Sequence, residues 1–291
     1  MEKRFILRGF GVGALGGLLA FIFARIMAEP LVQKAIDYEN GRDAAQDALR
    51  KAAGLAVAPG EEDVFSRGVQ RNIGIGVGGI LFGLAMGGLF AVAYILIQRR
   101  TQTRLRPRVL ALLVAGAAFL GLFLVPFLKY PANPPSIGHG DTIGDRSLLY
   151  VIMVVASVGF LIAAVVAARK LTPRLGGWNA TLLAGAAYVA VIAVVMLILP
   201  PLGHLDANVA RYGRQLTETP LPLRDSHGQI VFPGFPADVL FKFRLYAVIN
   251  QLILWTTIGL AFGALVERML ASAPRPAADP EAARAPTASL A

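Results

Sequence analysis

The amino-acid sequence predicts an all-α, polytopic membrane protein, and three observations carry that prediction. Apolar residues make up 56% of the 291 residues, and the mean hydropathy is +0.61. Several uncharged runs approach or exceed the roughly 20 residues that cross a bilayer as a helix. These runs are long and unbroken, unlike the ten-residue alternating segments of barrel strands.

Taken in order, the runs fall at about 9–28, 73–97, 109–128, 148–168, 180–202 and 245–266. That is about six transmembrane helices, or five if the first is cleaved. The first run has a positive n-region and an apolar core, as signal peptides do. It is long, however, and "RIMAEP" lacks a clean small-x-small cleavage site, so a retained helix is expected. Gly9, Gly13 and Gly17 in the first span, and Gly79, Gly83 and Gly87 in the second, recur at every fourth residue. Small residues at that spacing let helix backbones approach closely in lipid. A packed helix pair is the expected outcome, with a glycine-lined path as the other reading.

Charge fixes the expected orientation. Lys3, Arg4 and Arg8 precede the first span; Arg99, Arg100, Arg104, Arg106 and Arg108 fill 98–108; Arg169, Lys170 and Arg174 fill 169–178. Basic segments of this kind stay in the cytoplasm, which puts both termini inside. Segments 29–71, 129–147 and 203–243 then face outward. They hold eight, two and four of the 18 acids, and all three histidines. We therefore expect a single transmembrane domain, 1–271, and a disordered Pro/Ala-rich cytoplasmic tail, 272–291. The net charge of +10 is the ordinary result of this topology and does not indicate a nucleic-acid partner.

The outward segments carry the candidate chemistry. The first contains an amphipathic helical stretch, in which Glu39, Asp43 and Asp47 recur four apart on one face. "GHGD" (138–141) and "GHLD" (203–206) each place a histidine two residues before an aspartate, just outside a span. His139, Asp141, His204 and Asp206 are the candidate metal ligands, because imidazole and carboxylate suit cobalt, nickel or zinc. With no cysteine, thiolate sites and disulfides are excluded. No phosphate-binding loop, G-x-S-x-G elbow or closed zinc motif is present, so the chain reads as a non-enzyme without a permanently bound cofactor.

At the membrane edge, Arg25 sits one turn before Glu29, where an i,i+4 ion pair is expected. Lys129 can snorkel to the interface. Arg244 lies at the outer end of the last span, with Asn250 and Gln251 about two turns deeper, as interhelical glue or part of a polar path. In "PFLKYPANPPSIGHGDT" (126–142), Pro131, Pro134 and Pro135 fix φ and push their predecessors toward extended geometry. This segment is expected to be a rigid strut that holds Asn133, His139 and Asp141. The ends of the third and fifth spans, "LVPFLKYPAN" and "ILPPLGHLDAN", also look alike, as internal repeats of transporters do.

"PFLKYPANPPSIG", together with "AEPLVQKAIDYE" (28–39), "VFSRGVQ" (64–70), "DTIGDRSLLY" (141–150) and "FPADVLFKFRL" (235–245), resembles the CbtA family of probable cobalt transporter subunits. The resemblance extends from the first span to the last. It implies a multi-pass component of cobalt uptake in the bacterial inner membrane, tied to cobalamin synthesis, with Co2+ as the transported ion. It also implies a small single-span partner with a His-rich tail, CbtB-like, and it is compatible with an oligomer. The family is described with five spans, against six from hydropathy. The family-type positions are Glu29, Pro30, Glu39, Arg67, Gln70, Pro126, Lys129, Tyr130, Pro131, Asn133, Pro134, Pro135, Arg146, Tyr150, Phe235, Pro236 and Arg244. Arg25 joins Glu29 and Arg244 in shaping the expected entrance. The alternative function is a non-transporting scaffold or accessory subunit for the small partner.

Overall fold

The structure is a computed structural model that describes residues 2–57, 66–101 and 105–272. The linker from Ala58, part of the basic segment 98–108, and the tail beyond Ser272 therefore lie outside the described residues. Among the described residues, five helical units are long and apolar enough to cross a membrane. They are separate in sequence but two of them change helical pitch where they leave the apolar zone.

The first unit begins as α1 (Glu2–Phe23), passes through a π-helical turn (Ala24–Ala28), and continues as α2 (Glu29–Ala52). It stops at Gly54, whose φ of 70° provides the left-handed C-terminal cap. The second unit runs from α3 (Arg67–Val69) through a π turn (Gln70–Gly74) into α4 (Ile75–Thr101). α1 and α4 pack antiparallel along their glycines, Gly9 on Gly87, Gly13 on Gly83 and Gly17 on Gly79. A Cβ added to Gly9, Gly13, Gly17, Gly83 or Gly87 would come within 2.4 Å of a carbonyl oxygen of the facing helix. The glycine reading thus resolves as a packed pair, with no space between the helices for a path.

The third unit comprises α5 (Pro107–Ala118), a π segment (Phe119–Leu124) and α6 (Val125–Lys129). A proline inside an α-helix loses one hydrogen bond and clashes with the preceding turn. The π segment lies just ahead of Pro126 and loosens that turn; π-bulges commonly accommodate such insertions. The helix ends at Tyr130, the residue before Pro131, as pre-proline geometry requires.

The fourth unit resolves the difference between five and six spans. α7 (Ile143–Ile198) is interrupted at Gly176 (φ 74°, ψ 159°). Ser157 Oγ and Tyr188 Oη are 2.9 Å apart although 31 residues separate them, a distance of about 46 Å along a straight helix. α7 is therefore a hairpin whose two limbs are the fourth and fifth apolar runs. Five helical units make six bilayer-length segments. The last, α9 (Ala237–Ala271), follows Pro236.

α1, α4, α5 and α9 share one core, centred on Phe5, Tyr94, Ile258 and Phe262. α5 and α9 also meet through small residues: a Cβ on Gly259 would come within 2.9 Å of that of Ala115. At the basic end of this bundle Glu2 pairs with Arg99, and Arg108 with Glu267. The α7 hairpin is joined to the bundle through the third unit, with Val125, Tyr130, Met153, Tyr188 and Ile192 forming a second core.

The segment between α7 and α9 adds a short helix, α8 (Asp206–Tyr212), and a small β-hairpin that the all-α reading did not include. β1 (Leu223–Arg224) pairs antiparallel with β2 (Ile230–Phe232) around a turn in which Asp225 Oδ1 accepts the backbone N–H groups of His227 and Gln229. Aspartate in a turn competes for backbone donors in this way.

Candidate functional site: the cap of the bundle

The three segments assigned outward by charge converge at one end of the bundle and bind one another. Their common core contains Leu31, Ala35 and Tyr38 of α2, Ile137 of the strut, and Phe235 and Val239 at the start of α9. Tyr38 Oη donates to Pro233 O (2.9 Å), and its ring meets that of Phe235 edge-on at 5.1 Å. Arg42 donates to Leu221 O at 2.6 Å. Pro236 itself is exposed and ends the chain's approach to α9.

The strut is anchored along its length. Tyr130 is buried, and its hydroxyl donates to Pro200 O at 2.9 Å. The similar ends of the third and fifth spans are thus tied to each other. Burial pushes the Tyr130 phenol above its usual range, so it remains a donor. Lys129 sits beside the Tyr130 ring, 5.7 Å from the centroid. Arg244 reaches across from α9, donating to Ala132 O (3.2 Å) and Asn133 Oδ1 (2.8 Å). Pro131 is half-buried, Pro134 buried and Pro135 exposed. Ile137 N donates to Pro134 O (3.1 Å), with Ser136 at φ 72°. This is the geometry of a type II turn with Pro135 at its second position. The strut is therefore extended only as far as Pro134 and then turns.

A buried carboxylate that sequence reasoning missed holds the far end. The Glu218 side chain is 0% exposed. It accepts from Thr142 Oγ1 (2.6 Å), Asn208 Nδ2 (2.7 Å) and Arg146 Nη1 (3.0 Å). Thr142 follows "GHGD" and Asn208 follows "GHLD", so Glu218 ties the two His-x-Asp segments together. The short 3-10 turn Gly140–Thr142 packs against α8. Nothing near Glu218 in sequence marks it; its partners lie 10 to 76 residues away.

The candidate ligands occupy this junction without forming a closed cage. Among the described residues no group of three or more His, Asp or Glu side chains is poised to hold a metal. His139 is half-buried, and its Nδ1 accepts the Asp141 backbone N–H (3.2 Å), 3.5 Å from Asp141 Oδ2. Asp141 is 81% exposed in its side chain. His204 is half-buried and Asp206 is exposed at the start of α8. With His139 Nδ1 accepting the Asp141 N–H, the neutral imidazole carries its proton on Nε2. Binding a metal through His139 therefore requires the ring to give up this bond or its Nε2 proton.

Glu29 departs from the expected pairing. Arg67 Nη2, not Arg25, bonds its Oε1 at 2.6 Å, while Arg25 Nε donates to Asn72 Oδ1 at 2.9 Å. The π turn Ala24–Ala28 explains the change. With i→i+5 bonding, residues four apart no longer share a face, so Glu29 turns toward α3. Glu39 and Gln70 each have partners in the structure, and Pro30 is exposed in the first turn of α2.

A family model described as "Probable cobalt transporter subunit (CbtA)" matches residues 2–267. The chain belongs to the CbtA family. No curated protein and no solved structure matches it. In this CbtA-family chain, the residues that carry the resemblance are those that build the cap: Glu29 with Arg67, Tyr130 with Pro200, Asn133 with Arg244, Arg146 with Glu218, and Phe235 against Tyr38. Membership fits a multi-pass membrane protein with a transport role.

Proposed function

We propose that this chain is the membrane subunit of a divalent-cation uptake system, with Co2+ as its ion, and that it collects the ion at the extracytoplasmic face. Family membership supports the transport role. The observation that carries the choice of face is the convergence into one cap, opposite the basic end, of the three segments that hold 14 of the 18 acids and all three histidines. Within that cap Glu29 and Glu218 are spent on arginines, whereas Asp141 is open to solvent beside half-buried His139. Exposed carboxylates raise the local cation concentration, and His139 and His204, with Asp141 and Asp206, favour borderline metals. Transport requires sites that release the ion, and a scattered set suits that better than a closed cage. In this reading 1–271 works as one transmembrane domain in the bacterial inner membrane, and a small single-span, His-rich partner supplies further capture groups.

The test is uptake of labelled Co2+ by metal-starved cells expressing this chain with and without its partner. A His139→Ala/His204→Ala/Asp141→Ala variant at normal membrane level should lose most uptake. Unchanged uptake would remove these residues as ligands. Absence of uptake in every combination would favour the scaffold reading, with the cap as a docking surface.

A further inference from the structure

A groove of about 710 Å³ runs along the α7 hairpin, between its two limbs and the third unit. Leu128 and Met196 line one end, and Ala168 and Thr181 the other. Of the side chains lining it only Thr181 and Tyr188 are polar, and both are spent. Thr181 Oγ1 donates to Gly177 O (2.7 Å), and Tyr188 Oη is bonded to Ser157 Oγ (2.9 Å). What fills the groove is therefore apolar. Leu182 and Val189 of the lining are 55% and 65% exposed, so the groove is reached from the side. Met196 lies 15 residues beyond Thr181, about 22 Å along a helix. That exceeds the depth of one leaflet, about 15 Å of hydrocarbon, and suits an extended acyl chain. The Ala168–Thr181 end opens at the basic side. Arg169, Lys170 and Arg174 are exposed there, and segment 169–178 holds no acid. None of the three makes an ion pair among the described residues. Trp178, 75% exposed, lies at the same end, as tryptophans at headgroup level do.

We propose that this groove seats an anionic phospholipid from the leaflet at the basic end. One acyl chain lies along the groove, and the phosphate group sits at Arg169, Lys170 and Arg174. The charge at the mouth selects the headgroup, since basic clusters beside transmembrane helices attract anionic lipid. The apolar walls take the chain. A second copy of this chain is the poorer occupant. Sharing the same topology, it would set its own Arg169, Lys170 and Arg174 against these three, and like charges repel. The seat also has a mechanical role. The hairpin is joined to the four-helix bundle through the third unit, and a lipid chain lodged against both the hairpin and that unit extends the joint. The inference stands apart from the uptake reading, because it does not depend on which ion is carried.

Native mass spectrometry tests the seat, using the full chain released from nanodiscs in which phosphatidylcholine outnumbers phosphatidylglycerol. The wild-type chain should retain phosphatidylglycerol about tenfold or more above its share of the bilayer. Arg169→Gln/Lys170→Gln/Arg174→Gln should erase that preference while still retaining phosphatidylcholine. Gly185→Phe and Ala193→Phe each place a ring in the groove, and an added Cβ at Gly185 meets nothing within 4 Å. In protein that elutes as wild type, either should release lipid of both kinds. No preference in the wild-type chain would overturn the proposal. An equal loss of preference in Arg4→Gln/Arg8→Gln would also overturn it, by showing only diffuse attraction to the basic end. So would unchanged lipid retention in both groove-filling variants. A two-chain mass that these variants reduce to one chain would overturn it by assigning the groove to a second copy.

Discussion

Replacing Glu218 by alanine should loosen the cap while leaving the spans in place. The substitution removes the acceptor of three hydrogen bonds, from Thr142, Asn208 and Arg146, and leaves the arginine without its carboxylate. Breaking a buried ion pair by removing one partner costs about 3–5 kcal/mol. The Arg146 side chain is 28% exposed and can rehydrate, which brings the expected loss to about 2–3 kcal/mol. At about 2–4 °C per kcal/mol for a chain of this size, the unfolding midpoint should fall by roughly 5–10 °C. The measurement is thermal unfolding in nanodiscs at a fixed scan rate, with limited proteolysis of segment 203–236 as a local probe. Glu218→Gln keeps the shape and some hydrogen bonds and should lose about half as much. The Glu218→Leu/Arg146→Met variant removes both charges and should recover much of the loss. A Glu218→Ala midpoint within about 2 °C of wild type, or a double variant no better than the sum of its parts, would refute the idea that Glu218 holds the cap.

Three further outcomes follow from the packing. Gly83→Leu should prevent assembly, because even a Cβ there lies 2.7 Å from the Cα of Gly17; recovery of monodisperse protein after detergent extraction checks this, and Gly78→Leu, with nothing within 4 Å of its added Cβ, should be tolerated. Tyr130→Phe should cost about 1 kcal/mol by leaving Pro200 O without its donor, seen as a lower midpoint in the same unfolding assay. Gly176→Val should destabilise by about 1–2 kcal/mol, since a β-branched residue resists a φ of 74°; proteolysis near residue 176 should increase.

Much of this architecture can be read from the chain, because the dominant forces are local in sequence. An apolar run of bilayer length reports its own burial in lipid, and the four-residue glycine spacing of α1 and α4 states which faces meet. The segregation of acids and histidines likewise singles out the three segments that form the cap. What the sequence conceals depends on pairings between distant residues or on helical pitch. Glu218 sits in an irregular loop, and its role comes from Thr142 and Arg146 on another segment. The i,i+4 rule assigns Glu29 to Arg25 only in a regular α-helix, and the π turn cancels it. Gly176 is one glycine among 31, and only its left-handed φ reveals the reversal between two limbs. The strut's prolines announce stiffness, but the turn at Pro134–Ile137 depends on Ser136 adopting a positive φ that serine seldom takes.

The α1–α4 pair has a consequence for the membrane around it. It is closed at one end by Glu2 with Arg99 and at the other by Glu29 with Arg67. Between these latches the two backbones touch through glycine, so neither helix can slide or tilt against the other to adjust its length. Glu29 lies 27 residues beyond Glu2, about 40 Å along a helix, close to the thickness of a bilayer with its headgroups. The protein thus carries a fixed gauge of membrane thickness. In a thinner or thicker bilayer the pair can respond only by tilting as one body or by deforming the lipid around it.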